Sequence, residues 1–287
     1  MQSLLEVRNA HRRQYGKAPS GFVIYRGPSQ IDGQAVVAVA IMSSNNDKTD
    51  DMPQVFIIRA DIPPLVALKT GDDRSICGDC LARPTNQGWC YVNVAQSVNM
   101  IWKCLNQSPV IRRGIDTGKT YIPYPDISDR PDMVRALFAG RDVRLGAYGD
   151  PAALPIIWLN NSMADASGWN GYTHQWRTCS PEYSRYCMAS IDRPCDTIAA
   201  ELLGYRAFVA RLPGEAMPET TRRAAVCPSD TAVHGEAKAS CADCLGCGGV
   251  GGRGTTHRTI TVHGTGYKIR RYQEWRDRVA LELLNAW

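Results

Sequence analysis

The sequence predicts an α/β fold with mainly parallel strands, built as a full or partial (βα) barrel, plus an N-terminal β hairpin and a C-terminal helix. Short β-branched or apolar runs recur along the chain, and helix-patterned segments separate most of them in its second half. Strands that alternate with helical crossovers form parallel sheets. With 287 residues, the chain can bury a sizeable core without needing a metal to fold.

The N-terminal part predicts an arm, a hairpin and a connector. Residues 1–30 combine a short helix with an irregular arm that prolines and glycines interrupt. The next predicted elements are strands at 31–42 and 55–60, joined by a polar loop at 43–51, then a strand at 91–94 and a helix at 97–105. The Pro/Gly-rich segment 109–129 is long for a loop, so we expect it to be functional or to cover one end of the fold.

The second half alternates strands with helices. The predicted strands are 143–148, 171–176, 187–192, 205–212, 224–227 and 258–263, and the predicted helices are 132–139, 152–162 and 195–203. The glycine-rich run 248–254 does not open from a strand into a helix, which indicates a flexible linker. Residues 266–287 form an amphipathic helix that we expect to pack against the domain, with nucleic-acid binding by its basic face as the alternative.

Four cysteines within 21 residues give the strongest metal signal: Cys227, Cys241, Cys244 and Cys247. Three of them have C-x2-C-x2-C spacing, in which thiolates from one turn of chain wrap a cluster that a distant thiolate closes. The spacing favours a [4Fe-4S] cluster. Structural zinc, which is more often held by two separated knuckles, is the alternative, and disulfides or inert thiols are the remaining interpretation.

A second set has three thiols, Cys77, Cys80 and Cys90, at C-x2-C-x9-C spacing in predicted loops. Three thiolates leave one iron of a [4Fe-4S] cluster, or one position on zinc, open to substrate or cofactor. The alternative is a closed structural knuckle of Cys77 and Cys80, completed by Cys104, Cys90 or a histidine. The spacing does not decide between an open and a closed site.

Polar residues stand at or near the ends of the predicted strands, where α/β folds place their chemistry. We take His174, Asp192 and Asp150 as candidate catalytic residues. Each has a structural alternative. Either aspartate is suited to cap a helix, and the histidine can be a hydrogen-bonded structural residue at the end of a strand. All three are predicted to lie at the same end of the strands, beside the cysteines. This shared position indicates an active site more strongly than any one of the residues does.

Composition limits compartment and partners. Eleven cysteines without a recognisable export signal fit a reducing cytoplasm, and no apolar run reaches the ~18 residues that a membrane span needs. The net charge of +5 comes largely from dispersed basic residues, which permits a nucleic-acid partner without requiring one. We therefore expect a cytoplasmic protein without a membrane partner. The oligomeric state does not follow from the sequence.

Residues 55–247 resemble a set of uncharacterised cysteine-rich phage and prophage proteins. The shared stretches are Cys77-Gly-Asp-Cys80 with the later Cys90-Tyr-Val, Arg144-Leu-Gly-Ala-Tyr-Gly-Asp-Pro-Ala, Gly171-Tyr-Thr-His-Gln-Trp-Arg, and the stretch from Cys227-Pro to Cys247. The resemblance implies a phage-type protein working in the host-cell cytoplasm. It names no activity.

The order of these features also resembles the radical S-adenosylmethionine superfamily, although the cysteine spacing differs and Asp150 stands where that family has glutamate. The resemblance implies that the three-cysteine set holds a [4Fe-4S] cluster and the four-cysteine set an auxiliary one. It further implies that Gly149, Asp150, Pro151 and Ser190 bind S-adenosylmethionine, and that His174 and Asp192 orient substrate or ribose. A rival resemblance, to the tRNA-guanine transglycosylase barrel and its phage DNA-modifying relatives, implies Asp150 or Asp192 as a nucleophile and a C-terminal zinc site of clustered cysteines.

The leading hypothesis is a phage-type iron–sulfur enzyme, radical-SAM-like, that acts on a nucleotide or nucleic-acid component. Its expected cofactors are one or two [4Fe-4S] clusters and S-adenosylmethionine, with zinc as the alternative. The alternative functions are a transglycosylase-like base-exchange enzyme with structural zinc, and a non-enzymatic, metal-stapled virion or nucleic-acid-binding protein. The expected division is an arm and hairpin (1–54), a barrel-like domain with both cysteine sets (55–265) and the C-terminal helix (266–287).

Overall fold

The computed structural model describes residues 3–43 and 49–285, with side chains as far as residue 282. The strands are β1 (Gly21–Pro28), β2 (Ala35–Ile41), β3 (Gln54–Arg59), β4 (Pro109–Arg112), β5 (Ile115–Thr120), β6 (Asp142–Tyr148), β7 (Gly168–Asn170), β8 (Tyr172–Thr173), β9 (Met188–Ile191), β10 (Ala207–Arg211), β11 (Ala224–Val226) and β12 (His257–Thr261). The helices are α1 (Leu4–Tyr15), α2 (Pro64–Thr70), α3 (Arg74–Cys77), α4 (Ser97–Leu105), α5 (Pro131–Phe138), α6 (Ile156–Ser162), α7 (Thr197–Leu202), α8 (Thr231–His234), α9 (Cys241–Cys244) and α10 (Gly266–Asn285).

The first sheet has the strand order β1-β2-β3-β6-β7. Strands β1 to β3 are antiparallel, whereas β6 runs parallel to β3 and β7 parallel to β6. Residues 36–40 of β2 and 55–58 of β3 are at most 9% exposed, as in a sheet that is covered on both faces. The β2–β3 pair confirms the predicted N-terminal hairpin. The polar loop predicted between them lies partly outside the described residues.

The second sheet, ordered β11-β12-β10-β9-β8, is entirely parallel. Gly171 alone separates β7 from β8, so the chain passes from the first sheet to the second there. A Cβ at this position would lie 3.0 Å from the carbonyl oxygen of Tyr186, which favours glycine. The parallel α/β prediction is confirmed. The described strands form two five-stranded sheets and one two-stranded sheet, and a closed barrel is not among them.

One face of the second sheet is buried and the other is partly open. Ala189, Ala207 and Val209 are fully buried and belong to a core cluster that includes Ala200 of α7. The alternate positions Ser190, Phe208 and Arg258 are partly exposed, and they lie side by side in register. Successive side chains of a strand point to opposite faces. We call the face with Ser190, Phe208 and Arg258 the site face.

Helix α10 covers the carboxyl ends of β9 and β10. Its Tyr272 and Trp275 form a buried cluster with Trp89, and the two rings lie 5.3 and 4.8 Å from that tryptophan. The Tyr272 hydroxyl donates to the backbone oxygens of Asp192 (2.7 Å) and Ala210 (3.0 Å). The prediction that this amphipathic helix packs against the domain is confirmed.

Two local predictions were wrong. Residues 91–94 have strand-like composition but lie in irregular backbone, and the N-terminal arm predicted to be irregular contains the regular strand β1. The connector 109–129 carries the exposed β4–β5 hairpin. Within the described chain, none of the helices is long and apolar enough to cross a membrane.

Candidate active site and thiol sets

The three-cysteine set assembles beside the end of β6. Cys77 is the last residue of α3, Cys80 follows one turn later, and Cys90 lies in the irregular segment before α4. Burial raises the pKa of the Cys77 thiol well above its ordinary value, and the nearby thiols of Cys80 and Cys90 raise it further. The three thiols, each partly buried, therefore lie near one another.

The Gln175 side chain holds the turn between Cys77 and Cys80 by hydrogen bonds. Its side-chain Nε2 donates to the backbone oxygen of Cys77 (3.1 Å), and its Oε1 accepts from the backbone nitrogen of Asp79 (3.5 Å). Gly78 has a φ of 55°, and a Cβ built there would overlap the Gln175 amide. Glycine is required at this position because the amide of Gln175 occupies the space where a side chain would begin.

Arg83 fixes the same loop from its other side. Its guanidinium donates to the backbone oxygens of Gly71 (2.6 Å) and Gly78 (3.1 Å) and to Asp73 Oδ1 (2.6 Å). Arg83 is 9% exposed and Asp73 1%. A buried pair of this kind is costly to break, because the remaining charge would be left uncompensated. The loop that carries Cys77 and Cys80 is thus rigidly held.

His174 and Asp192 meet at the edge of the three-cysteine set. His174 Nε2 lies 3.6 Å from Asp192 Oδ2, and the Cys80 thiol lies near the His174 ring. Burial alone would lower the pKa of His174, but Cys80 and Asp192 together raise it well above its ordinary value. The structure thus brings the side chains of two predicted catalytic residues, His174 and Asp192, together, and the third, Asp150, contacts the backbone of His174.

His174 is also the histidine that the alternative of a closed site requires. A carboxylate behind a histidine is the usual arrangement when that histidine binds a metal, and it also suits acid–base chemistry. Cys104 lies elsewhere, since its thiol hydrogen bonds to the Tyr124 hydroxyl. Of the donors that the sequence left open to complete the knuckle, Cys90 and His174 are therefore the ones placed at the set.

Asp150 braces the ends of two strands. Its Oδ1 accepts from the backbone nitrogen of Ala152 (2.9 Å), and its Oδ2 accepts from that of His174 (2.8 Å). It caps the short 3-10 turn Pro151–Ala153, and burial raises the pKa of its carboxyl group. Each carboxylate oxygen already accepts a hydrogen bond from a backbone N–H group. A role as nucleophile or cofactor ligand would therefore break these two hydrogen bonds.

The other predicted cofactor-binding residues lie close by in the fold. Gly149 has a φ of 80°, and a Cβ there would lie 2.8 Å from the Ile57 backbone oxygen, so this glycine lets the end of β6 pass β3. Pro151 is buried as the first residue of the 3-10 turn. Ser190 lies on the site face, and its backbone oxygen accepts from Trp176 Nε1 (3.2 Å).

Tyr148 is a site residue that the sequence did not single out. It is 4% exposed, and within the described residues its hydroxyl has no hydrogen-bond partner. Burial raises its pKa above the ordinary value, and the thiols of Cys77 and Cys90 raise it further, which places the hydroxyl beside the three-cysteine set. A buried hydroxyl without a partner is costly, so its position is consistent with a bound group. The available signal was its place two residues before Asp150 on a strand.

The four-cysteine set lies against the site face. Burial raises the pKa of Cys247 to about 12, and the thiols of Cys227, Cys241 and Cys244 contribute to the rise. The Tyr172 hydroxyl hydrogen bonds to Cys247. The four predicted ligands therefore share one neighbourhood, and among the described thiols none is paired in a disulfide.

Arg206 holds the loop that follows the four-cysteine set. It is 1% exposed and donates to the backbone oxygens of Gly246 (2.5 Å), Gly249 (2.7 Å) and Thr256 (2.6 Å). A Cβ at Gly249 would overlap the Ser184 backbone oxygen. The prediction of a flexible linker here was wrong, because these glycines permit tight backbone packing rather than motion.

Positive charge lies beside the four-cysteine set. Arg144 lies close to Cys241, and the Arg258 guanidinium lies against Gly246. Both arginines are partly exposed, but their Nε atoms are buried without a hydrogen-bond partner, and neither side chain forms an ion pair with any described residue. Positive charge beside thiols favours the thiolate form, which is the form that binds a metal.

As they stand, no three His, Cys, Asp or Glu side chains in the described part of the chain have the arrangement needed to hold a metal ion. The chemistry of the donors nevertheless fits a thiolate-bound metal at both sets. The thiols of each set are neighbours, and among the described residues the Arg144 and Arg258 side chains form no ion pair and the Tyr148 hydroxyl has no hydrogen-bond partner. Ligation would require cysteine side chains to turn about χ1, because complete sites rarely form before the metal binds.

Comparison with known proteins found no matching family model, curated protein or solved structure. The chemistry and geometry of the two thiol sets and of the site face are therefore the basis for assigning a function.

Proposed function

We propose that this chain is a phage-type iron–sulfur enzyme, radical-SAM-like and built on a partial barrel, that acts on a nucleotide or nucleic-acid component. One observation carries the proposal. The partly buried thiols of Cys77, Cys80 and Cys90 lie near one another and near the His174–Asp192 pair, beside the carboxyl ends of parallel strands. That edge is where folds of this class place their chemistry.

Each residue has a role that follows from its contacts. Cys77, Cys80 and Cys90 would hold the cluster, and a cluster bound by three thiolates supplies one-electron chemistry at its open iron. Asp192 faces Nε2 of His174 and orients the ring, so that the imidazole can hold a proton at Nε2. The buried Tyr148 hydroxyl is available as a hydrogen-bond donor to a group bound beside the thiols.

The four-cysteine set would hold an auxiliary centre. Its place against Arg144, Arg206 and Arg258 gives thiolate charge three nearby guanidiniums to balance it. All four thiols would be used as ligands, which leaves no open position for substrate. The roles that fit it are structural support and electron relay, and Cys77, Cys80 and Cys90 remain the reactive set.

Anaerobic purification with iron, sulfide and zinc analysis tests the proposal. Two cubane clusters predict about eight irons per chain and a broad visible absorption. Cys77→Ser should reduce iron to about four per chain, because only the first set is damaged. Cys195→Ser is the matched control, since Cys195 is exposed and outside both sets, and it should leave iron unchanged. A colourless protein that contains zinc and no iron would refute the iron–sulfur proposal.

A second candidate is base exchange through an aspartate nucleophile with structural zinc. Asp192 favours it, because within the described residues its carboxylate faces His174 and holds no backbone N–H group, unlike that of Asp150. In this case His174 would close a Cys3His zinc site. One or two zincs per chain, without iron, and loss of one of them in His174→Ala would support the candidate. Retention of all metal by that variant would count against it.

A further inference from the structure

An open cleft of about 610 Å³ lies between α2, the irregular segment 91–95 and the start of α10. Its size is within the range of small-ligand sites. The apolar part of its lining comes from Leu65, Leu68, Val92 and Val94. Tyr91, Asn93 and Lys268 supply aromatic, amide and cationic groups. The cleft therefore combines an apolar surface with a few polar groups, which is the composition of a specific site.

Tyr91 is a fixed aromatic surface in this cleft. Its ring lies 5.3 Å from that of His263, with the planes 38° apart, and its hydroxyl accepts from Arg144 NH2 (3.2 Å). These contacts orient the ring, yet the residue remains 53% exposed. An exposed and oriented ring is suited to stacking, because little conformational freedom remains to be lost on binding.

Lys268 is the cation of the cleft, beside Tyr91. Tyr91 directly follows Cys90 of the three-cysteine set in the chain. Lys268 also lines the cleft, and its side chain packs over Gly264 next to Tyr91. Among the described residues it forms no ion pair, so its charge is available to an anionic ligand. A ligand that contacts both Lys268 and Tyr91 would therefore lie against the residue that follows Cys90.

We propose that this cleft binds one nucleotide unit, with the base stacked on Tyr91 and the phosphate at Lys268. The inference rests on the proposed function and gives it a substrate class and an entry route. An aromatic surface beside a single cation matches a base and its phosphate, and Asn93 can hydrogen bond to a base edge. The unit can be a free nucleotide or part of a single strand.

Fluorescence anisotropy with a labelled single-stranded oligothymidylate tests the cleft, and competition by nucleoside monophosphates tells the two sources apart. Tyr91→Ala should weaken binding about 5- to 100-fold, whereas Tyr91→Phe keeps the stacking ring and should bind nearly as the unchanged protein does. Lys268→Ala should reduce the slope of the logarithm of the binding constant against the logarithm of the salt concentration by about one, as expected for the loss of one phosphate contact. Tyr267→Ala and Arg270→Ala, exposed positions on the same helix outside the cleft, are the controls.

Two results would overturn the cleft assignment: no binding by the unchanged protein, or equal affinity in Tyr91→Ala with its fold verified by circular dichroism. Competition by monophosphates would identify a free nucleotide as ligand, and displacement by oligonucleotides alone would identify a strand. Metal analysis of the same preparations separates this inference from the proposed function. If the protein contains zinc but no iron and its binding depends on Tyr91, the cleft assignment is supported and the iron–sulfur proposal is refuted. If the protein contains iron but does not bind the oligonucleotide, the iron–sulfur proposal is supported and the cleft assignment is refuted.

Discussion

Replacement of Gly78 by alanine tests whether the turn between Cys77 and Cys80 is seated on Gln175. Gly78 has a φ of 55° and a ψ of −134°, a conformation that residues with a side chain rarely adopt. A Cβ there would also overlap the end of the Gln175 side chain. Gln175 is only 5% exposed, so it cannot turn into solvent without leaving its hydrogen bonds.

Two costs determine the magnitude. Backbone strain of this kind costs about 1–3 kcal/mol. Displacement of Gln175 would leave the backbone oxygen of Cys77 without its partner, which costs about 1–3 kcal/mol for a buried group. The sum of about 2–6 kcal/mol is a large share of the roughly 5–15 kcal/mol that stabilises a typical domain. Gly78→Ala should therefore unfold at a much lower urea concentration than the unchanged protein.

A double-mutant cycle with Gln175→Ala isolates the contact. In the Gln175→Ala background no amide remains to be displaced, so Gly78→Ala should cost about 1–3 kcal/mol less than in the unchanged protein. Gly140→Ala is a control for strain alone, because Gly140 has a φ of 66° and nothing within 4 Å of its built Cβ. The loss of unfolding free energy caused by Gly78→Ala is measured by urea unfolding in both backgrounds. Equal losses would refute the conclusion that Gln175 holds the turn.

Three further predictions concern other parts of the site and its support. His174→Asn should retain iron and abolish activity if the three-cysteine set is open, as metal analysis beside an activity assay can check. Arg206→Met should lower the free energy of unfolding in urea by about 3 kcal/mol or more, because three buried backbone oxygens lose their donor; an unchanged value would contradict this role. Burial would raise the pKa of Glu201, but hydrogen bonds from His257 and two backbone N–H groups outweigh it and lower the pKa from 4.5 to about 2. Stability from this contact is therefore complete above about pH 4.5 and lost as the pH falls towards 2, so Glu201→Gln should flatten the acid side of a thermal-unfolding profile, and a profile of unchanged slope would contradict it.

The succession of elements was largely predictable because local pattern and tertiary structure agree. The predicted helix 97–105 coincides with α4, and each strand predicted after residue 140 has a counterpart within a few residues. The failures occurred where local pattern and tertiary context diverge. Residues 91–94 have β-forming composition, but they line a cleft and lack a neighbouring strand. Strand β1 was missed because glycine and proline near its ends suggested an irregular arm.

The site was predictable in its chemical groups but not in the contacts that hold them. Thiol spacing and strand-end position predicted the two cysteine sets and the candidates His174 and Asp192, which the structure places 3.6 Å apart at Nε2 and Oδ2. The residues that support them act over long separations: Gln175 binds a carbonyl 98 positions earlier, and Arg206 one 40 positions later. A buried arginine cannot be distinguished from a surface arginine by its neighbours in sequence. Asp150 was ambiguous for the opposite reason, since a cap and a catalytic aspartate occupy the same place after a strand.

The position of Tyr91 links the two thiol sets to one ligand site. It directly follows Cys90 of the three-cysteine set, and its hydroxyl is held by Arg144, which lies close to Cys241 of the four-cysteine set. A change of charge at either set therefore acts on groups that touch the same ring. Arg144 has few other anchors, because its Nε has no hydrogen-bond partner among the described residues. We therefore expect the proposed metal binding at the four-cysteine set to alter the contact between Arg144 and the Tyr91 hydroxyl, while the contact with His263 continues to hold the ring.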